Sequence, residues 1–425
     1  MYWSTARAAA RRGYASAASA PAVMNVNGIR VAGASASSSE QLASLALVVN
    51  AGSRFETIEN AGAAHFLKAF GFRDTQPRTS FRTIREAELN GATLTAEATR
   101  ENIVFRVQCF RDAVPYFVDV LSQVAAGTKF AEHEFSAVQR VVQLEAASAQ
   151  AHAETRVLEA LHQAAFRGGL GNSLYVPEGS PVNSAESVQA YARSAFARDR
   201  VAVVGTGIEA QELSQLVAAS KLAELPANAE LPAAQTTSFA GGSQKVIESA
   251  APVSHYALAF SCAPEEAPVL ARLLGTQRRA KWNVGAAPLA QAAAEDGFAA
   301  EAFSFAYSDA ALVGVLVSAP AARLRASVER VAQTIQKSVA RPSADSVKRA
   351  AAAAQVDAAD QMALQEGVAR ALTQVALGQP AATLEAVEQA ASKLSASAQS
   401  VFASKPAAAS VSLSQATPYV DTLGF

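Results

Sequence analysis

The sequence predicts an α+β protein of two homologous domains, each a mainly antiparallel sheet covered by helices. Three observations carry that expectation. A chain of 425 residues is longer than one hydrophobic core usually serves, and two domains of about 200 residues each is the natural division. Short apolar runs that read as strands are interleaved with longer segments of helical period. A strand–turn–strand–helix pattern also occurs twice, about 210 residues apart.

The elements follow in chain order. Residues 23–31 and 45–51 read as strands, the second ending in a Gly-Ser turn within "LASLALVVNAGSRFE". Residues 60–70 read as a helix. A strand over 91–99, a turn at 100–102 and a strand over 103–110 come next, with Ile103, Phe105, Val107 and Cys109 alternating. Asp112 is the expected N-cap of a helix over 113–126, whose Val114, Phe117, Val118 and Leu121 share one face. Long helices run on through Phe166, and "DRVAVVGTG" supplies one more strand before a helix. In the second copy, "AFSFAYSDAALVGVLVSA" gives a hairpin turning at 307–309. The helix after it carries Leu324, Val328, Val331 and Ile335. Phe105 thus corresponds to Val313, and Leu121 to Val331. The predicted organisation is a leader at 1–14, a first domain at 15–224, a Pro/Ala/Thr/Ser-rich linker at 225–245 and a second domain at 246–425.

Composition narrows the function classes. Half of the residues are hydrophobic and 17% are charged, as in folded globular chains. A net charge of −1 offers no long-range attraction to nucleic acid or anionic lipid. The basic cluster "QRRAK" at 277–281 therefore reads as a solvated loop, and no nucleic-acid partner is expected. No apolar run reaches the roughly 18–20 residues of a spanning helix, so no transmembrane helix is expected. Cys109 and Cys262 read as buried, reduced thiols. The first 39 residues carry Arg7, Arg11, Arg12 and Arg30 and no acidic residue, are rich in Ala and Ser, and lack a secretory-type apolar core. That is the composition of a mitochondrial transit peptide, and Arg12-Gly13-Tyr14 resembles a matrix processing site. Without Arg7, Arg11 and Arg12 the net charge becomes −4.

One stretch raises catalysis directly. "GAAHFLKAFGF" over 62–72 begins like a zinc-peptidase helix. Such a helix of the H-x-x-E-H type needs two histidines on one face and a glutamate to activate the metal-bound water. His65 fills the first position. Lys68 stands where the base belongs, a cation that repels Zn²⁺ and takes no proton near neutral pH, and Ala69 supplies no ligand. His133, His152, His162 and His255 show neither close pairing nor cysteine partners. "VVGTGIEA" over 203–210 lacks the following acidic strand of a dinucleotide site and reads as a tight strand-to-helix turn. No metal, cofactor or catalytic residue is expected.

These residues also carry a resemblance. "ETIENAGAAHFLKAF" resembles the active-site helix of the mitochondrial processing peptidase family of pitrilysin-type zinc metallopeptidases, which reads close to E-x-x-G-x-A-H-F-L-E-H. "FAGGS" over 239–243 looks like the family's F-x-G-G-E, and "RLLG" over 272–275 and the "YSD" hairpin also fit. The similarity runs from about Val23 to the end of the chain. The family's third zinc ligand lies about 75 residues beyond its second histidine, which implies Glu145 as its counterpart; His65 and Glu145 then survive at ligand positions while base and middle ligand are lost. An α-type processing subunit has a long glycine-rich loop, where 275–291 here holds only Gly275 and Gly285. The tail "ATPYVDTLGF" and "FSFAYSDAALVGV" are instead similar to the family's non-catalytic core subunits in ubiquinol–cytochrome c oxidoreductase. That branch implies a matrix-side structural subunit without its own cofactor. It also implies pairing with core protein 1, and attachment to the inner membrane through cytochrome b, cytochrome c1 and small subunits.

Overall fold

The computed structural model describes residues 22–34, 41–231, 234, 236–247, 253–275, 287–379, 384–412, 417–423 and 425. The leader at 1–14 and the 277–281 cluster lie outside the described residues, as does most of the 275–291 segment.

The first half opens with β1 (Ala22–Val26), β2 (Ile29–Ala34) and β3 (Leu42–Val49), then α1 (Ala63–Ala69), α2 (Ser80–Leu89), β4 (Thr93–Ala98) and β5 (Ile103–Phe110). Helices α3 (Val114–Ala126), α4 (Glu132–Ala151), α5 (Ala153–Phe166) and α6 (Ala185–Ala195) follow, then β6 (Val201–Thr206) and α7 (Ala210–Ala218). The second half contains β7 (Gly242–Ile247), β8 (Ser254–Cys262), α8 (Ala267–Leu274), α9 (Pro288–Asp296), β9 (Ala299–Ala306) and β10 (Ala311–Ala319). It ends with α10 (Ala321–Thr334), α11 (Ala344–Met362), α12 (Gln365–Leu377), α13 (Leu384–Phe402) and β11 (Ala407–Ser412).

The strands form two sheets, ordered β1-β2-β6-β3-β5-β4 and β7-β11-β8-β10-β9. Apart from the extra edge strand β1 the orders coincide. In each sheet one pair is parallel, β2 with β6 and β7 with β11, and the rest are antiparallel. The duplication read from the sequence is thus a duplication of topology as well.

Two local expectations are corrected. Residues 23–31 are not one strand. Asn27 and Gly28 both take positive φ (52° and 95°), the pair of conformations a tight hairpin turn requires, and the Asn25 carboxamide oxygen accepts from Gly28 N–H at 2.8 Å. Asp112 is not an N-cap. Arg111–Ala113 form a single 3₁₀ turn, and α3 starts at Val114 with Pro115 in its first turn and no side-chain cap. Proline brings no N–H to be satisfied there, so a capping carboxylate has less to do. The last residues of the predicted linker, from Gly242, already belong to β7.

Packing divides the chain into two compact units that do not follow chain order. Unit 1 comprises Met1–Gln143, Val176–Ala233 and Met362–Gln379, and unit 2 the remainder. One face of the unit 1 sheet (Leu45, Leu47, Ile103, Phe105, Val107, Val203) packs on α1, α3 and α6. Its other face (Ala32, Ala46, Val48, Ala202, Val204) is covered by Leu372 and Ala376 of α12, a helix from the second half of the chain. In unit 2, Tyr256, Leu258, Phe260, Val313 and Val315 pack on α8, α10 and α13. The opposite face (Ala257, Ala259, Leu312, Ala407, Ala409) receives Val157, Leu161 and Ala165 of α5, a helix from the first half. Alanines on both receiving faces let a helix lie close to the strands. Cys109 is buried and Cys262 half-buried, and neither is disulfide-bonded. Burial pushes their thiols up to about 11 and about 12.

Candidate functional site

The segment leading into α1 is held from below. The hairpin turn after β4 tucks under residues 52–54, with Gly52 N–H donating to Glu101 O at 2.9 Å and Arg54 N–H to Arg100 O at 2.7 Å. Gly52 has no room for a Cβ, which would collide with the carbonyl oxygens of Thr99 and Arg100. The Arg54 guanidinium meets the Glu101 carboxylate at 2.7 Å with both side chains buried. That pair fixes the entry to the site by geometry more than by net energy, because desolvating both charges offsets most of their attraction.

The N-terminus of α1 is occupied by the protein's own carboxylate. Gly62, at φ 93°, precedes the helix. The Glu56 carboxylate accepts from Gly62 N–H at 2.9 Å and from Ala64 N–H at 2.7 Å, satisfying donors that a helix start leaves unpaired. Burial nonetheless pushes the Glu56 carboxyl up to about 7, with the two N–H groups pulling the other way. Ser180 O–H donates to Ala61 O at 2.7 Å. A Cβ on Gly62 would sit 2.9 Å from Val176, so the 176–180 loop closes directly over the helix start.

His65 is 3% exposed. Its Nδ1 accepts a hydrogen bond from Val176 N–H at 3.1 Å. An amide N–H only donates, so Nδ1 offers its lone pair there, and a neutral ring carries its proton on Nε2. A zinc-binding imidazole is arranged the other way, donating through one nitrogen and ligating through the other. Lys68 and Ala69 are half-buried in the last turn of α1. An ammonium suits the negative end of the helix dipole, where a carboxylate base has to be held against it. Phe66 stacks on Phe135 at 5.5 Å and Phe70 lies 5.3 Å from Phe130, so two ring pairs one turn apart anchor the helix beside the histidine.

His65, Lys68 and Ala69 thus share α1 in unit 1. Glu145 is half-buried on α4, in the stretch Leu144–Tyr175 that packs with unit 2. Among the described residues no group of three or more His, Cys, Asp or Glu side chains comes close enough to hold a metal ion. The "VVGTGIEA" turn is explained by packing: Gly207, at φ 76°, approaches Leu42 O too closely for any side chain.

Sequence reasoning missed Glu56 and the His65–Val176 contact. Glu56 was visible as an acidic residue six positions before Gly62, but only the folded loop shows which N–H groups it meets. Sequence reasoning named His162 but not the partners its ring takes. That ring is buried in unit 2, donates through Nδ1 to Leu158 O at 2.7 Å and accepts at Nε2 from the Tyr307 hydroxyl at 2.7 Å.

Comparison with known proteins places this arrangement. Residues 31–178 match the insulinase family (peptidase family M16), and residues 184–354 match the peptidase M16 inactive domain. The mitochondrial cytochrome b-c1 complex subunit 2 of Cryptococcus neoformans is 36% identical over 94% of both chains. That of Yarrowia lipolytica is 34% identical over 90% of this chain and 92% of its own. The chain belongs to the cytochrome b-c1 complex subunit 2 branch of the M16 family. By contrast, a probable α-2 subunit of the mitochondrial processing peptidase from Arabidopsis thaliana is 30% identical over only 51% of this chain. The M16 fold therefore persists here in a non-catalytic member of a mitochondrial family. Among the described residues no helix is long and apolar enough to cross a membrane.

Proposed function

We infer that this chain is a non-catalytic structural core subunit of mitochondrial ubiquinol–cytochrome c oxidoreductase, supporting assembly and stability of the electron-transfer complex. In this reading it pairs with core protein 1 and contacts cytochrome b, cytochrome c1 and small subunits. It lies on the matrix side of the inner membrane, attached through those partners, after loss of a leader at 1–14. The covalent order of the mature chain is a degenerate peptidase domain at 15–224, a linker at 225–245 and a second domain at 246–425. His65, Lys68, Ala69 and Glu145 form no metal site.

The observation that carries this reading is the make-up of α1 around His65. With its Nδ1 engaged by Val176 N–H, with Lys68 beside it and with Ala69 in the second ligand position, α1 has neither a ligand pair nor a base. The presequence-binding α-type subunit is the other non-catalytic role in the family. Relatives matching nearly the full chain carry the subunit 2 name, which supports the core-subunit role over it.

The test is gentle solubilisation of inner membranes followed by native electrophoresis and metal analysis. The chain is expected to co-migrate with the haem-containing subunits and to contain no stoichiometric zinc of its own. Migration apart from the haem proteins, or chelator-sensitive cleavage of presequence peptides by the purified chain, overturns the reading.

A further inference from the structure

We propose that unit 2 contains a peptide-binding groove, bounded by β7, β8 and the end of α10, and that the chain's own segment 417–425 fills it as a separable clasp. Such a groove is a property of unit 2 itself, whatever assembly the chain joins.

The two units differ beside β7. Strands β2 and β7 hold the same place in the strand order, as do β6 and β11. In unit 1 the chain passes from β6 into α7, which packs on β1 and β2. Leu213 and Val217 of that helix join the core with Val31 and Val203. The fit is close, since a Cβ on Gly33 of β2 would lie 2.5 Å from Ala210 N. In unit 2, residues 417–423 after β11 carry a single 3₁₀ turn, Val420–Thr422, in place of a helix. Val420 and Leu423 are nonetheless only 3% and 8% exposed, and they join the core of Tyr256, Leu258 and Phe260.

The segment is held as a bound peptide is held, with side chains of the body meeting its main chain. The Lys245 ammonium donates to Thr417 O, and the Tyr256 hydroxyl donates to Pro418 O at 3.4 Å. Gln336, in the π turn Ile335–Val339 that follows α10, donates through its side-chain N–H to Leu423 O at 3.1 Å. Ser243 Oγ accepts from Val420 N–H at 3.0 Å. The strands are held differently: β11 is fixed to β7 and β8 by backbone ladders.

Side chains of the segment supply the anchors. Val420 and Leu423, three residues apart, point into the core, and the Phe425 ring lies edge-on to Phe260 at 5.2 Å. On the outside, the Lys245 ammonium sits 3.6 Å from the centre of the Tyr419 ring, an attraction available only while the segment is docked. The Lys405–Asp421 pair at 2.9 Å is exposed on both sides and adds little. The groove therefore suits a short peptide with two aliphatic residues at that spacing and an aromatic residue two positions on. Tethering keeps its occupant at an effective concentration of roughly millimolar, so modest affinity is enough to hold the clasp shut.

The experiment uses the full chain with a protease site placed within 413–416, so that the protein folds before the clasp is cut free. A cut segment that co-elutes with the body supports the groove directly. Once the segment is removed, the body is expected to melt about 5–15 °C lower than the uncut chain. Its amide exchange should rise at 243–247 and 256–260 and stay unchanged in β3 and β5 of unit 1. The peptide TPYVDTLGF at about 1 mM should restore both melt and protection, and the same peptide carrying Val420→Asp and Leu423→Asp should not. In the uncut chain, Val420→Asp is expected to raise exchange at 243–247 in the same way, a readout that decides the matter if the cut body precipitates. A body that melts and exchanges like the uncut chain after losing the segment overturns the proposal. So does a peptide that restores nothing, or Val420→Asp with unaltered exchange at 243–247.

Discussion

The two sheets have the same core strand order and the same single parallel pair, yet the faces that receive a helix from the other half of the chain differ in chemistry. In unit 1 the buried contact under α12 is aliphatic, alanines and valines of the sheet against Leu372 and Ala376, with an Arg106–Glu366 ion pair at 3.2 Å beside it. In unit 2 the contact under α5 includes a buried histidine and a ring of aromatics. His162 lies 4.9 Å from Phe305, and Phe166 lies 6.3 Å from both Phe239 and Tyr307. The histidine-bearing helix is also one-sided. Helix α1 follows β3 in unit 1 and keeps His65, whereas α8 follows β8 in unit 2 with no histidine at all. One topology therefore tolerates two different kinds of core, because backbone pairing fixes the strand order while each face needs only a surface that excludes water.

The comparison breaks most visibly if the halves are separated. Residues 15–224 alone leave the Ala32–Ala46–Val48–Ala202–Val204 face bare and α5 without its sheet. This fragment is expected to lack a cooperative melt and to bind a hydrophobic dye. Supplying the second half in trans should restore a cooperative transition, and a fragment that melts like the whole chain would show that the exchanged helices are dispensable.

Leu372→Ala and Leu161→Ala probe the two exchanged helices one at a time. Each removes a buried side chain and should cost about 2–5 kcal/mol in denaturant melts. A negligible loss at either site would mean that helix is not held by its receiving face.

Glu56 sharpens the contrast between the α1 region and its counterpart. Its carboxyl keeps a proton up to about 7 in the folded chain, against an ordinary value of 4.5. The stability this contributes is fully present below about 4.5 and is lost as pH rises through about 7. The stability advantage of the unaltered protein over Glu56→Gln should shrink by about 1–3 kcal/mol between pH 4.5 and 8. Parallel pH–stability curves for the two proteins would contradict the buried carboxyl.

The smallest effect is expected at Tyr307→Phe. It removes the hydroxyl that His162 Nε2 accepts from and should cost about 1 kcal/mol. Double substitution with His162→Leu should recover part of that loss, since both polar partners are then gone.

Much of this was legible beforehand. The alternation of Ile103, Phe105, Val107 and Cys109 marked β5, and its spacing from Val313 marked the repeat, because strand periodicity survives in sequence wherever one face is buried. The Asn27-Gly28 turn was equally legible and was passed over, although Asn-Gly is among the strongest short hairpin signals. That α1 carries neither a carboxylate at 68 nor an imidazole at 69 could be read from the sequence alone. That His65 points its acceptor nitrogen at Val176 could not, since the two residues meet only through a loop closing from far along the chain.

By itself, then, the sequence determined the α+β class, several of the strands and helices, the duplication, and that Lys68 and Ala69 stand where a base and a second imidazole would be, all of which depend on residue type and near-neighbour spacing. The tertiary structure decided which half of the chain each helix serves. A periodic pattern records that a face of α5 or α12 is to be buried without recording which sheet buries it.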